Sequence, residues 1–437
     1  MSNQYPIDGS RDALWMATAP SAPVTASLSD QQDHDVVVIG AGITGLNAAL
    51  ALVKSGSSVA VLEAAGIGFG ASGRAGGQVN LGLNSGPSEL QKLYGKEQGE
   101  RTIELVLNTP QTLFDIVQEH SLNCDAVQNG WVQAAASQGI FETQKATAAD
   151  YGVHAPVMQV LDKDEVSDKT GSQKYLGGLF CSVAGSVQPL SYTRELARAC
   201  LALGVDIYTD SAVTGIERSG EHWHLRTANG QIRAKRVLMC TNGYTNESTG
   251  APVNGLAKAL VPVRSVLVAT EPLSEELRNS ILPNQVTFVD KRRLILYARY
   301  DRDGRLCIGD HGPMRDGFKM SDFDPVKQRA IEVFPQLAGV KWDYQWGGRI
   351  AVTKSGLPFI HEVAPGLIAG MGFNGRGVGA GTMMGLELAK YALHGDRNTL
   401  GFPVNAPNRF LMRRFQGIGV AMSIKWFALL DYLDKLK

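Results

Sequence analysis

Gly40-Ala41-Gly42-Ile43-Thr44-Gly45 is the first stretch of this chain whose residue types and spacing could do chemistry. It fits G-x-G-x-x-G. Gly40 permits a tight turn, Gly42 lets a pyrophosphate approach the backbone, and Gly45 lets a following helix pack close to a sheet. A helix starting there offers free N–H groups and a partial positive charge to phosphates. Glu63 stands 18 residues after Gly45, where a carboxylate can bind both ribose hydroxyls and disfavours a 2′-phosphate. The ligand class is therefore an adenine dinucleotide, and NADP is set aside. A second cluster, GIGFGASGRAGG at 66–77, holds six glycines and Arg74. NAD needs no such loop, whereas a longer dinucleotide carrying an isoalloxazine ring must be threaded past more backbone. That selects FAD, with Arg74 placed for a phosphate or a flavin carbonyl. A third cluster, Gly370-Met371-Gly372-Phe373-Asn374-Gly375-Arg376-Gly377, leads into a helix. Its N–H groups and Arg376 would stabilise negative charge on the pyrimidine edge of a reduced flavin.

These clusters need elements to position them. Asp35–Ile39 reads as a strand buried on both faces, Ile43–Lys54 as a helix ended by Gly56, and Val59–Leu62 as a second buried strand closing at Glu63. Helical patterns follow at 88–120, 192–203 and about 378–393, and strands at 207–218, 222–227 and 237–241. From 258 to 309 the β-branched and aromatic content rises, with turns near Pro283 and at Asp301–Gly304, which suggests an antiparallel sheet. The expected fold is α/β: a doubly wound, Rossmann-like FAD-binding domain interleaved with an antiparallel-sheet substrate domain. The expected ranges are an irregular N-terminal arm at 1–32, the FAD-binding domain at 33–95, 175–250 and 346–400, and the substrate domain at 96–174 and 251–345. A C-terminal helical segment fills 401–437.

Composition narrows the function classes. Lys plus Arg equals Asp plus Glu at 42 each, which gives no support to nucleic-acid binding. The five cysteines, Cys124, Cys181, Cys200, Cys240 and Cys307, are scattered and form neither a disulfide framework nor a zinc pattern, so no metal is expected. The first thirty residues show no basic patch followed by an apolar run, and no stretch is long and apolar enough to span a membrane; the expected location is cytoplasmic.

The chain resembles the D-amino-acid-oxidase superfamily, and within it the γ-glutamylputrescine oxidoreductase branch. DVVVIGAGITGL (35–46), VLEA (61–64), GFGASGRAGGQV (68–79), RVLMCTNGYT (236–245), LYARYDRDGRLCIGD (296–310), WGGRIAVTKSGLPFI (346–360) and GFNGRGVGAGTMMG (372–385) carry the resemblance, in order. It implies a glutathione-reductase-type FAD domain with a substrate domain roofing the flavin. It also implies oxidation of a C–H next to an amine nitrogen, giving an imine that water hydrolyses. With the motifs, it gives a cofactor set of Gly40, Ala41, Gly42, Ile43, Thr44, Gly45, Glu63 and Ala64, then Gly70, Ala71, Ser72, Arg74, Gly76, Gly77 and Gln78. Val213, Thr241, Asn242, Gly243 and Gly348 follow, and Gly372, Asn374, Gly375, Arg376, Gly377 and Val378 complete the set.

The departures are specific. Arg376 stands where many relatives have histidine, a permanent charge for a titratable one. Thr353-Lys354-Ser355-Gly356-Leu357-Pro358 replaces T-x-D-G-x-P. The histidine or cysteine to which relatives attach flavin covalently is missing near Arg74 and Gly348, so the FAD should be non-covalent. Cys307 matches the strand position at which monomeric sarcosine oxidase has the lysine that helps oxygen react, which leans toward a quinone or protein as acceptor and leaves O₂ as the alternative.

Hydride transfer from a neutral amine needs orientation more than an acid–base pair. Candidate aromatic walls are Tyr297, Tyr300 and Trp346, and Arg264 and Arg299 are candidate carboxylate anchors. Arg376 and Cys307 complete the candidate catalytic set, whose partner is a small-molecule amine. Three alternatives stay open. One is a quinone-linked dehydrogenase of amino or hydroxy acids, with the terminal helix Phe415–Leu436 (including Trp426 and Phe427) on a membrane surface, though that helix docks more simply on the protein. The others are an NAD-dependent enzyme and a non-catalytic flavin-binding protein.

Overall fold

A computed structural model describes residues 13–245, 255–292, 294–313, 315, 317–410 and 426. Of the expected terminal helix Phe415–Leu436, only Trp426 lies within the described residues.

The strand Gln31–Ile39 is the centre of the first sheet. Its apolar end alternates between two cores: Val36 and Val38 join the cluster under the helices Ile43–Lys54, Pro189–Ala202 and Gly379–His394, whereas Val37 and Ile39 join the cluster on the opposite face. Two covered faces explain the near-continuous apolar run. Five strands run parallel in the order Leu367–Met371, Gln231–Met239, Gln31–Ile39, Val59–Leu62 and Asp206–Tyr208. Phe359–Ala364 adds an antiparallel edge, and Gly215–Ser219 and His222–Arg226 form an antiparallel meander on Gln231–Met239. The register pairs Ile39 with both Leu62 and Met239, and Met239 with Ala369. Gly40, Glu63 and Thr241 therefore emerge together at the carboxyl ends, where open parallel sheets bind ligands, and the Gly370–Gly377 cluster starts at the end of the neighbouring strand.

The second sheet has eight strands in the order Trp342–Val352, Val261–Thr270, Leu306–His311, Leu296–Tyr300, Thr287–Asp290, Trp131–Ala135, Gly177–Cys181 and Met158–Leu161. All neighbours are antiparallel except Thr287–Asp290 with Trp131–Ala135. One face packs Val266, Ile308 and Ala298 against Val326, Ala330 and Val333 of the helix Asp324–Val333. The other face presents Leu267, Ala269, Cys307 and Trp346 to Leu14, Trp15 and Leu190.

Several elements differ from the sequence reading. Gly177–Cys181 and Trp342–Val352 overlap the ranges assigned to the FAD-binding domain, yet both hydrogen-bond into the second sheet. The arm is not wholly irregular: Leu14–Thr18 is helical because Trp15 is completely buried and its Nε1 donates to Ala75 O at 2.8 Å. The helix expected at 88–120 is two, Pro87–Tyr94 and Lys96–Glu119, broken at Gly95 with φ +79°. The strand expected at 207–218 is likewise two, split by a turn with Asp210 at φ +49°.

Candidate functional site

An elongated cavity opens at the carboxyl ends of the first sheet. All three glycine clusters reach it. Its wall includes Gly40, Ala41, Gly42, Ile43, Thr44, Glu63, Ala64, Gly70, Ala71, Ser72, Val213, Thr241, Asn242, Gly243, Asn374, Gly375, Gly377 and Val378. Close packing explains why glycine stands at several of these positions. A Cβ on Gly42 would lie 2.8 Å from Ser72 Oγ, and one on Gly70 3.0 Å from the Tyr244 ring. Gly45 does not face the cavity; a Cβ there would stand 2.0 Å from the carbonyl oxygen of Gly40, so its absence brings the helix Ile43–Lys54 onto the turn.

That helix has no side-chain N-cap from Gly42, and Ser72 Oγ accepts from Ile43 N at 3.0 Å. Its first turn thus faces the cavity as a source of N–H donors. The Glu63 carboxylate accepts from Ala41 N at 2.8 Å and Ala65 N at 3.0 Å. Burial pushes its pKa up while these backbone donors pull the other way. Dinucleotide chemistry fits this donor set: N–H groups for phosphate, an anchored carboxylate for ribose, and walls that a Cβ would fill. Cys240 also lines the cavity, but burial pushes its thiol up to about 12, far from a thiolate nucleophile.

The third cluster is tied to its neighbours through asparagine. Asn242 Oδ1 accepts from Gly372 N and Asn374 Oδ1 from Thr353 N, both at 2.9 Å, with Asn374 at φ +51°. In the replaced T-x-D-G-x-P turn, Ser355 Oγ accepts from Leu357 N at 3.3 Å and Thr353 Oγ1 donates to Leu357 O at 2.8 Å. The turn stays closed without the aspartate.

Gly45, Arg74, Gly76, Gly77, Gln78, Gly348, Gly372 and Arg376 are not on this cavity's wall. Arg74 is buried, its guanidinium 4.9 Å from the centroid of the Phe69 ring, and its Cβ would be 3.2 Å from a Cβ on Gly348. Gly76 accommodates the Tyr297 ring and Gly77, at φ +77°, the carbonyl of Val187. Gln78 Nε2 donates to Phe288 O and Ala298 O at 3.1 Å each, clamping the second sheet.

The residues expected to meet substrate are mostly committed elsewhere. Arg299 is buried and donates to Gly76 O at 2.7 Å, Val187 O at 2.9 Å and Tyr300 O at 3.0 Å, with Trp15 stacked at 4.7 Å. With Nε, Nη1 and Nη2 each donating to a backbone carbonyl, the buried guanidinium is held by the protein itself, so the structure makes Arg299 a clamp. Trp346 is fully buried, donating to Arg74 O at 3.0 Å and standing edge-on to Trp15 at 5.5 Å. Tyr297 Oη pairs with Ser265 Oγ at 3.1 Å, and burial raises its pKa to about 12. Tyr300 donates to Ile281 O at 2.9 Å. Cys307 is 2 % exposed within the Leu267–Trp346 cluster, and burial raises its pKa far above the ordinary thiol value. Arg264 is buried beside the Phe318 ring at 5.5 Å. Alternation along strands placed several of these side chains on one face, and that face is filled by Trp15.

Arg376 points away from the first cavity although Gly375 and Gly377 line it. Its Nη1 donates to Leu81 O at 2.9 Å and Gly82 O at 3.2 Å, and the guanidinium lies 5.6 Å from the Trp131 ring centroid. It lines a second, open cavity with Trp131, Gln133, Gln144, Tyr151, Lys291 and Arg292. The two cavities thus meet at one turn, Phe373–Val378. Sequence reasoning missed Phe69, Tyr244 and Arg349 on the first wall and Trp131, Tyr151 and Lys291 on the second. Arg349 was legible, since it lies in the quoted WGGRIAV motif.

Comparison with known proteins agrees with this geometry. The profile of the FAD dependent oxidoreductases matches residues 35–391. The chain is 31% identical to the probable oxidoreductase OrdL of Haemophilus influenzae over 92% of this chain and 93% of that one. It is also 31% identical to the gamma-glutamylputrescine oxidoreductase of Escherichia coli, covering 87% of this chain and 88% of that one. Among solved structures, glycine oxidase from Geobacillus kaustophilus superposes with a TM-score of 0.69 at 21% identity, over 83% of this chain and 95% of that one.

Proposed function

The chain belongs to the FAD-dependent oxidoreductase family, and from that premise we propose that it oxidises a C–H bond next to an amine nitrogen. The substrate leaves as an imine, which water hydrolyses to an aldehyde or keto product and an amine or ammonia. The substrate class is a polyamine, free or γ-glutamylated, a related amine or an amino acid; the relative named gamma-glutamylputrescine oxidoreductase, alike over most of both chains, supports that choice. The observation that carries the reading is the shared turn Phe373–Val378, which closes the cofactor cavity on one side and presents Arg376 to an open second cavity on the other.

Bound FAD supplies the hydride acceptor, held without a covalent bond. Glu63 would hold its adenosine ribose and the first turn of Ile43–Lys54 its pyrophosphate. The Arg299, Gln78 and Trp15 clamps fix the second sheet over the glycine-rich loop, so the amine enters a preset geometry. The electron acceptor is O₂ or a quinone or protein, and Cys307, buried in the Leu267–Trp346 cluster, does not bear on the choice. The test is product analysis. Holoenzyme is incubated with a panel of primary amines, secondary amines and amino acids plus an artificial acceptor, and carbonyl products are trapped as hydrazones. A hydrazone from at least one amine, absent without enzyme, supports the reading; none from any member refutes it.

A further inference from the structure

The second cavity carries two half-buried cations, Lys291 and Arg376, that no carboxylate answers, besides the exposed Lys174. Lys291 follows the strand Thr287–Asp290, its backbone N fixed to Ala134 O at 3.0 Å. Arg376 reaches the same cavity from the Phe373–Val378 turn. Among the described residues, no carboxylate lies within 4.0 Å of the cationic nitrogens of either. The two cations line one cavity, and burial together with the Arg376 charge lowers the Lys291 pKa to about 8. Half-buried like charges with no carboxylate partner are a cost to the fold that an incoming anion would relieve. The cavity's acids do not serve. Asp150 accepts from Ser88 N at 3.1 Å, and Glu89 sits in the first turn of Pro87–Tyr94. Of the remaining wall groups, Arg292 is held by Asp290 at 3.0 Å, and Lys174 and the Tyr151 phenol add no negative charge at neutral pH. Trp131 and Tyr151 provide aromatic surface beside the cations.

We propose that Lys291 and Arg376 form the seat for a carboxylate at the end of the substrate remote from the oxidised nitrogen, so that the enzyme takes amines with an anionic tail in preference to neutral or purely cationic amines. This rests on the amine-oxidation reading.

Two measurements on the FAD-loaded protein test it. The first is calorimetric titration with glutarate and with its uncharged counterpart glutaramide. The second is anaerobic flavin reduction by ω-amino acids of increasing length, each compared with the n-alkylamine of equal length. Glutarate should bind at least tenfold more tightly than glutaramide, and the best ω-amino acid should show a Kd at least tenfold below that of its alkylamine. Lys291→Met and Arg376→Met should each shrink both ratios to within about twofold. Wild-type glutarate binding should weaken as pH rises through about 8, where Lys291 loses its proton, while Lys291→Arg should keep it level. Glutarate bound no better than glutaramide overturns the proposal. So do equal Kd values for the two amine series, a result that leaves amine oxidation standing. If neither series reduces the flavin, the amine reading fails, and the glutarate titration alone decides whether the carboxylate seat exists.

Discussion

Replacing Gly45 by alanine adds one methyl group and should detach the cofactor. The new carbon would lie 2.0 Å from Gly40 O and 3.1 Å from Val38 Cγ1, whereas ordinary contact begins near 3.4 Å. The first obstacle is backbone, so the start of Ile43–Lys54 must retreat by about 1.4 Å from the turn. N–H donors at hydrogen-bond length cannot keep a phosphate oxygen after such a shift, since bonds fail beyond about 3.5 Å. Loss of one charge-assisted bond costs about 1.5–3 kcal/mol, or roughly 10- to 150-fold in affinity. Overpacking adds about 1–3 kcal/mol of instability. The assay is FAD binding to apoprotein, followed by flavin fluorescence, with thermal unfolding of both forms. Gly66→Ala is the control, because a Cβ there meets nothing within 4 Å in the neighbouring glycine cluster. Gly45→Ala protein that binds FAD within twofold of wild type would refute the packing argument.

Other expectations follow from the same geometry. Glu63→Ala should weaken FAD binding by about 1–3 kcal/mol, the range for a charge-assisted acceptor, and dissociation constants by fluorescence check it. Arg299→Met should lower stability by about 3 kcal/mol or more, because three buried carbonyls lose their donor; thermal unfolding reads this, and an unchanged Tm would return the residue to the substrate site. Cys307→Lys should lower the Tm without speeding re-oxidation of reduced protein by air-saturated buffer, since the thiol lies in an apolar cluster; faster re-oxidation in stopped flow would show that the residue does reach the flavin.

The legible parts of this fold were those set by local spacing. Gly40, Gly42, Gly45 and Glu63 announce themselves because turn, helix and strand end fall within one short unit, and the register of Ile39 with Leu62 then brings them together. The face of the second sheet was not legible. Both faces are covered, so alternation groups Tyr297, Arg299 and Cys307 without saying what meets them. What meets them is Trp15, from a helix of five residues in an Ala- and Pro-rich arm; burial, not propensity, makes that helix. Lys291 opens a Lys-Arg-Arg run that carries no signal of a site in the sequence. Only the parallel pairing of Thr287–Asp290 with Trp131–Ala135, distant in sequence, puts it beside Trp131 and Arg376. Arg376 itself was assigned to the flavin because its neighbours are, yet consecutive residues of a tight turn can face opposite sides.

The central claim is that a flavin held by this glycine-built cavity takes hydride from the carbon next to an amine nitrogen. Its most direct test is anaerobic stopped flow, following the long-wavelength flavin absorbance on mixing with an amine that bleaches it and with the same amine deuterated at that carbon. Bleaching in a single phase, several-fold slower for the deuterated amine, is the result this account predicts. A flavin that no amine bleaches, or bleaching indifferent to deuterium at every amine concentration, would contradict it.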